Sequence, residues 1–195
     1  MRAIFFPSSH VSPSSHPAAT APRSAVAELE VVRRFHAIPV KRHEFNIFAD
    51  YHQFYLLDDE RQPNFPEDVT DGDCRNRLKA APYIVAVYPV RNMTVPVAVE
   101  FHDVEPPTDF TAWDHIAECS LDLPSGRAVI IGCSGYMPEA SRIPVAPGCY
   151  RVRAHFGALD SLSADGLDGS DHYLLTLWPS PSGELQVFKQ YDERA

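Results

Sequence analysis

"EFNIFADYHQFYLLD", residues 44–58, is the stretch whose reading decides the fold. It is rich in aromatic and aliphatic residues and holds neither Gly nor Pro, which predicts one long strand, straight or bulged. Strand alternation places Phe48, Asp50, His52, Phe54 and Leu56 on one face and Ala49, Tyr51, Gln53, Tyr55 and Leu57 on the other. Both faces are largely apolar, so the strand is expected to be central and covered on both sides. His52 and Gln53 would then be buried, and an unpaired buried polar group costs about 1–3 kcal/mol. They are read as a structural polar pair that fixes strand register. A competing reading makes Asp50 and His52, two apart on one strand face, candidate metal ligands or the wall of a pocket in a ligand-binding or hydrolytic sandwich.

The flanking sequence carries the same β signature. "YIVAVYPV" is β-branched enough for a buried strand, and Val95, Val97, Val99 and Phe101 alternate against Pro96, Ala98, Glu100 and His102. Pro96 has no backbone donor, which assigns it to an edge or to a non-bonded position. "WDHIAECSLDL" and "RAVIIGCS" read as strands joined at the 124–126 turn, and "HYLLTLWP" and "ELQVFKQYD" as a last hairpin. In "APGCYRVRAHFG" Tyr150, Val152, Ala154 and Phe156 alternate against Arg151, Arg153 and His155. "TDGDCRNRLKAAP" predicts a short helix capped by Thr70 or Asp71, continued by Arg77, Leu78 and Lys79, and stopped by Pro82. The expected fold is mainly β: an antiparallel β-sandwich of about eight strands with one short helix, spanning residues 44–195. Residues 1–43 form an N-terminal extension. Of these, 1–26 are Ser-, Pro- and Ala-rich and read as disordered, and 27–43 as either a short helix or a first strand.

Charge is distributed unevenly along the 195 residues. Residues 44–195 hold 11 Lys/Arg against 24 Asp/Glu, a net of −13, whereas residues 1–43 hold six Lys/Arg and two Asp/Glu. So acidic a body repels nucleic-acid phosphates, whose binding rests on Lys/Arg. It favours a basic protein partner, or serves solubility. The candidate contacts are the carboxylates Asp58, Asp59 and Glu60, and the loop carrying Asp165, Asp168 and Asp171. That loop lacks the calcium-binding D-x-[DN]-x-[DN]-G spacing. The run "IFF" is far short of a signal peptide or membrane span, so a cytoplasmic protein with no membrane contact is expected. Cys119 and Cys133 flank a turn and form either a disulfide or, as the compartment favours, free thiols. "GCSGY" at 132–136 places Tyr136 where a nucleophile elbow needs Gly, and no phosphate-cradling Gly-rich loop occurs. No catalytic residue and no cofactor is assigned.

"DYHQFYLLD", "MTVPVAVEFHD" and "APGCYRVRAHF" together resemble, in that order, three strands of the competence protein J family, bacterial inhibitors of a DNA-entry nuclease. The resemblance covers about a sixth of the chain. It implies a small β-rich protein that binds and blocks a nuclease, and it assigns no inhibitory residues. Residues 1–43 and "WDHIAECSLDLPSGRAVIIG" depart from the family's small members.

Overall fold

The computed structural model describes residues 41–61, 63, 65–66 and 68–192. The tail expected over 1–26 and most of the 27–43 stretch lie outside them. The first described residue, Lys41, already lies in a strand, three residues ahead of the expected start of the domain. Eleven strands are present among the described residues rather than about eight: β1 (Lys41–Phe48), β2 (Phe54–Asp58), β3 (Leu78–Ala81), β4 (Ile84–Val87), β5 (Thr94–Phe101), β6 (His115–Leu123), β7 (Arg127–Gly132), β8 (Ser141–Pro144), β9 (Gly148–Gly157), β10 (His172–Pro179) and β11 (Gln186–Lys189). One helix, α1, spans Asp71–Asn76. The strands form a six-stranded sheet ordered β1-β5-β10-β9-β6-β11 and a five-stranded sheet ordered β3-β4-β2-β7-β8. Pairing is antiparallel throughout except between β5 and β10. The fold is a mainly-β sandwich with one short helix.

Alternation decides what the sheets bury. Val95, Val97 and Val99 of β5 and Tyr150, Val152, Ala154 and Phe156 of β9 share one apolar layer with Phe54 and Leu56 of β2. Each Val, Leu and Phe side chain of this layer contributes about 1.5–3 kcal/mol on burial. The other face of β2 joins a second layer, in which Tyr55 and Leu57 meet Ile84, Ala86, Tyr88, Val129 and Ile131. Phe54–Asp58 is thus covered on both sides, as its unbroken apolar run requires. Pro96 lies opposite Asn46 of β1, one residue before the parallel pairing with β10 begins at Val97, so β5 is an inner strand and not the edge that proline suggests.

The decisive stretch is not one strand. Residues 44–48 end β1 in the six-stranded sheet, 54–58 form β2 in the five-stranded sheet, and a 3-10 turn over Asp50–His52 carries the chain between them. Tyr51 and His52 take left-handed backbone angles, φ 54° and 56°. Left-handed backbone costs about 1–2 kcal/mol per non-glycine residue, so the sandwich stabilises a corner that local propensity opposes. Gly132 makes the corner passable, because a Cβ there would overlap the Phe48 carbonyl oxygen.

Three other local expectations change for tertiary reasons. Thr70 does cap α1: its Oγ1 accepts from Asp73 N at 3.1 Å and Asp73 Oδ2 accepts from Thr70 N at 2.9 Å, a capping box. But Arg77 (φ 52°) ends the helix, and Leu78–Ala81 becomes β3, burying Leu78 in the core instead of extending α1. β6 and β7 belong to different sheets, so the 124–126 turn is a corner rather than a hairpin. β11 pairs with β6 rather than with β10. Arg151 guides that crossing by donating to the carbonyls of Gly183 (2.9 Å) and Glu184 (3.2 Å).

Candidate functional site

Five chain segments converge at one end of the sandwich. They are the 3-10 turn, α1 with the residues before it, the Tyr88–Val90 connection out of β4, the turn at Leu159–Leu162 after β9, and Tyr191 beyond β11. Between them lies a groove of about 520 Å³, a volume suited to a small ligand or a few side chains. Loops gathered at the end of a rigid sandwich are where such folds place recognition. Val69, Pro89, Val90, Leu159 and Leu162 give the groove an apolar floor and wall, and Tyr51, Tyr88 and Tyr191 add aromatic surface. Tyr51 is 71% exposed, held outward by its left-handed backbone.

The polar groups around the groove are anchored. His115 Nε2 donates to the Asn76 carbonyl (2.9 Å) and its Nδ1 accepts from Tyr191 N (3.2 Å), joining the end of α1 to the C-terminal segment. This arrangement needs a neutral ring, and burial, helped by the Arg77 charge, pushes the His115 pKa down to about 4. Arg77 lies under the Tyr191 ring, 5.5 Å from its centroid, and donates to the Tyr88 carbonyl at 3.4 Å. The Asp114 carboxylate accepts from Leu159 N (2.8 Å), and Tyr191 OH donates to Asp160 (2.7 Å).

His52 and Gln53 are not the buried pair that alternation implied. His52 is exposed and lines the groove; Gln53 is half-buried, and its Oε1 accepts from Tyr55 OH at 2.7 Å. The corner at Asp50–His52 breaks the alternation that would have turned His52 inward. Asp50 lies outside the lining, with its carboxylate on the Tyr51 N–H at 3.1 Å. Among the described residues no group of three or more His, Cys, Asp or Glu is placed to hold a metal ion.

The acidic candidates divide between interior and surface. Asp58, expected at the surface, is buried and accepts from Ser125 N (2.9 Å), Arg61 N (3.0 Å) and Glu60 N (3.1 Å). Burial alone would push its pKa up, but these hydrogen bonds outweigh that and hold the carboxyl below its ordinary value. Asp59 is clamped between Arg127 (2.8 Å) and Arg142 (2.9 Å), and the Arg127 bond above all lowers its pKa. Glu60 is exposed and reaches Arg127 at 2.7 Å. Asp171 is also buried: it takes Tyr173 OH at 2.6 Å and stands 2.8 Å from Arg91 Nε, a contact of charge rather than an aligned hydrogen bond. Asp165 and Asp168 face solvent, Asp165 capping its own loop through Ser163 Oγ and Leu167 N.

A second charged cluster joins Arg151 and Arg153, which alternation sets on one face of their strand, to a carboxylate that no spacing marks. On the outer face of the six-stranded sheet Glu118 accepts Arg151 Nε on one oxygen and Arg153 Nε on the other, both at 2.7 Å. Arg153 continues to Thr108 (2.6 Å) and Glu105 (2.5 Å) and stacks on Trp178 and Phe188. All four cysteines are free thiols, so Cys119 and Cys133 form no disulfide.

No protein-family model matches the chain, and no curated protein does. Two solved structures share its fold. One is ComJ, the inhibitor of the DNA-degrading activity of NucA from Bacillus subtilis, with a TM-score of 0.54 and 16% identity over 72% of this chain and 96% of that one. The other is the crocagin biosynthetic gene J protein, with a TM-score of 0.52 and 23% identity over 74% of this chain and all of its own. The chain is ComJ-like in fold.

Proposed function

We propose that this protein binds and blocks a basic protein partner, of the kind a DNA-degrading nuclease presents, and that it does so in the cytoplasm. The observation that carries the reading is how the cations of a strongly acidic, ComJ-like sandwich are disposed. Arg42, Lys79, Arg91, Arg127, Arg142, Arg151 and Arg153 each pair with a carboxylate of the same chain. Exposed Asp71, Asp103, Asp122, Asp165 and Asp168 form no ion pair with a cation among the described residues, which supports a negative surface field. Of the acidic candidates, Glu60, Asp165 and Asp168 add to that field, steering a basic partner more than gripping it. Asp58, Asp59 and Asp171 act inward, on the fold. Four free cysteines fit a reducing compartment, and no helix among the described residues is long and apolar enough to cross a membrane.

A second reading, a small ligand at His52, is favoured by one observation, the groove that His52 lines. The first reading is tested by DNA cleavage with a nuclease of the NucA type, with and without this protein. Inhibition at micromolar protein that weakens with added salt is expected. Unimpaired cleavage at that concentration overturns the reading.

A further inference from the structure

The two sheets end in four edge strands, and one of them is unlike the others. β3, β8 and β11 are each four residues long; β8 also ends in Pro144, and the pairing of β11 slips between Val187 and Lys189. Short length, proline and irregular pairing are ordinary protections against a further strand adding to an open edge. β1 has none of these three. It runs eight residues in unbroken register against β5, and no strand among the described residues lies on its other side. Asn46–Phe48 stand across a groove of about 300 Å³ from Gly132, Gly135 and Tyr136, so the open part of the edge is Lys41–Phe45.

Charge is the protection that β1 does carry, and here it is selective. Arg42 and Glu44 lie two apart on one face of the strand, their side chains 47% and 75% exposed. When two copies of a strand pair antiparallel about a two-fold axis, residues that stand opposite share a face. An axis at Glu44 opposes two like carboxylates. An axis at Phe45 carries the second strand along the Gly132–Tyr136 side and leaves Arg42 opposite Phe48. An axis at His43 sets Arg42 of each copy against Glu44 of the other, twice over, and lays the Lys41 stem against the Phe45 ring. The charges that deter an arbitrary strand therefore suit a second copy in a single register. Phe45, half-buried against the core from this edge, gains cover on its open flank. We propose that β1 is a self-association edge: two copies of this chain pair antiparallel through Lys41–Phe45, with His43 on the two-fold axis and Arg42 against Glu44 on either side of it. The two six-stranded sheets then run on as one. A single strand pair is smaller than a standard interface of roughly 1,600 Å², so the dimer forms and dissociates with concentration. It goes beyond the inhibitor reading and is independent of it, since it uses no residue of the loop-end groove.

The test is sedimentation velocity on the full chain from low micromolar to submillimolar concentration. Wild-type protein is expected to pass from monomer to dimer across that range. Arg42→Glu makes this face of the strand acidic and Glu44→Arg makes it basic, so each variant alone sets like charges opposite one another. Each should raise the dissociation constant by about tenfold or more. Mixed in equal amounts, the acidic variant and the basic one are complementary in the His43-centred register, and should recover the dimer to within about threefold of wild type. Recovery on mixing also excludes misfolding as the cause of the single-variant losses. Glu44→Gln, which removes the charge and keeps the size, is the milder variant and should weaken the dimer by about threefold. Wild-type protein that stays monomeric at every concentration overturns the proposal. So does a dimer that Arg42→Glu, Glu44→Arg and Glu44→Gln all leave unchanged, or an equimolar mixture that stays monomeric while circular dichroism shows both variants folded.

Discussion

On the outer face of the six-stranded sheet, Glu118 takes a guanidinium on each oxygen, and Arg151 and Arg153 direct their remaining N–H groups to Ser120, Thr108, Glu105 and the carbonyls of Gly183 and Glu184. At the loop end, Tyr51, Val69, Leu162 and Tyr191 line an open groove. The first region is rich in charge and closed; the second is mostly apolar and open. Charge in this protein therefore marks architecture wherever it is fully satisfied, and recognition is to be sought where apolar surface has been left uncovered. Asp58 and Asp171 belong with the first region although they lie in the two acidic stretches that look most like contacts in the sequence.

The largest expected effect breaks the closed region. Glu118→Ala leaves two guanidiniums without their shared carboxylate in a buried layer, and unfolding free energy should drop by about 3–5 kcal/mol. Urea denaturation reads it, and a loss under about 1 kcal/mol would mean that water or Glu105 already neutralises the arginines. Next is acid. Burial pushes both His115 and His155 down to about 4 from the model-peptide 6.5, so each ring is neutral in the fold. Above about pH 6.5 folded and unfolded states hold these rings equally neutral and the contribution is complete. Between 6.5 and 4 the unfolded chain takes up protons that the fold refuses, and stability falls by roughly 1.4 kcal/mol per ring per pH unit. Denaturation midpoints measured at pH 7, 5.5 and 4.5 should decline in that window, and a flat series would contradict the assigned ring states. Smaller again is Asp58→Ala, which frees the N–H groups of Glu60 and Arg61 just beyond β2 and that of Ser125 in the 124–126 corner, and should cost about 2 kcal/mol by the same denaturation.

Much of the fold was legible in the sequence because alternation is a local property. β5 and β9 could be assigned residue by residue, and Phe54–Asp58 was recognisable as covered on both sides. The corner at Asp50–His52 was not, since nothing in "ADYHQ" marks a left-handed residue in the way glycine does; the constraint comes from Gly132, some eighty residues away, where β1 meets β7. Losing the corner cost the site as well. Strict alternation turns His52 and Gln53 inward, whereas the corner sends His52 to the groove. Tyr51, Val69, Leu162 and Tyr191 come from four segments that only the topology brings together, so no spacing could reveal them. Arg151 and Arg153 were placed on the correct face of β9, but Glu118 becomes their partner only through the β6–β9 register, in which Glu118 stands opposite Arg153.

The contrast between a closed charged region and an open apolar one bears directly on inhibition of DNA cleavage. Wild-type protein, Val69→Lys and the double variant Asp165→Asn/Asp168→Asn can be titrated side by side against one nuclease of the NucA type. The account predicts that Val69→Lys inhibits about tenfold less well, while the double variant stays within about twofold of wild type because those carboxylates only steer the partner. Inhibition lost in the double variant and retained in Val69→Lys would contradict it.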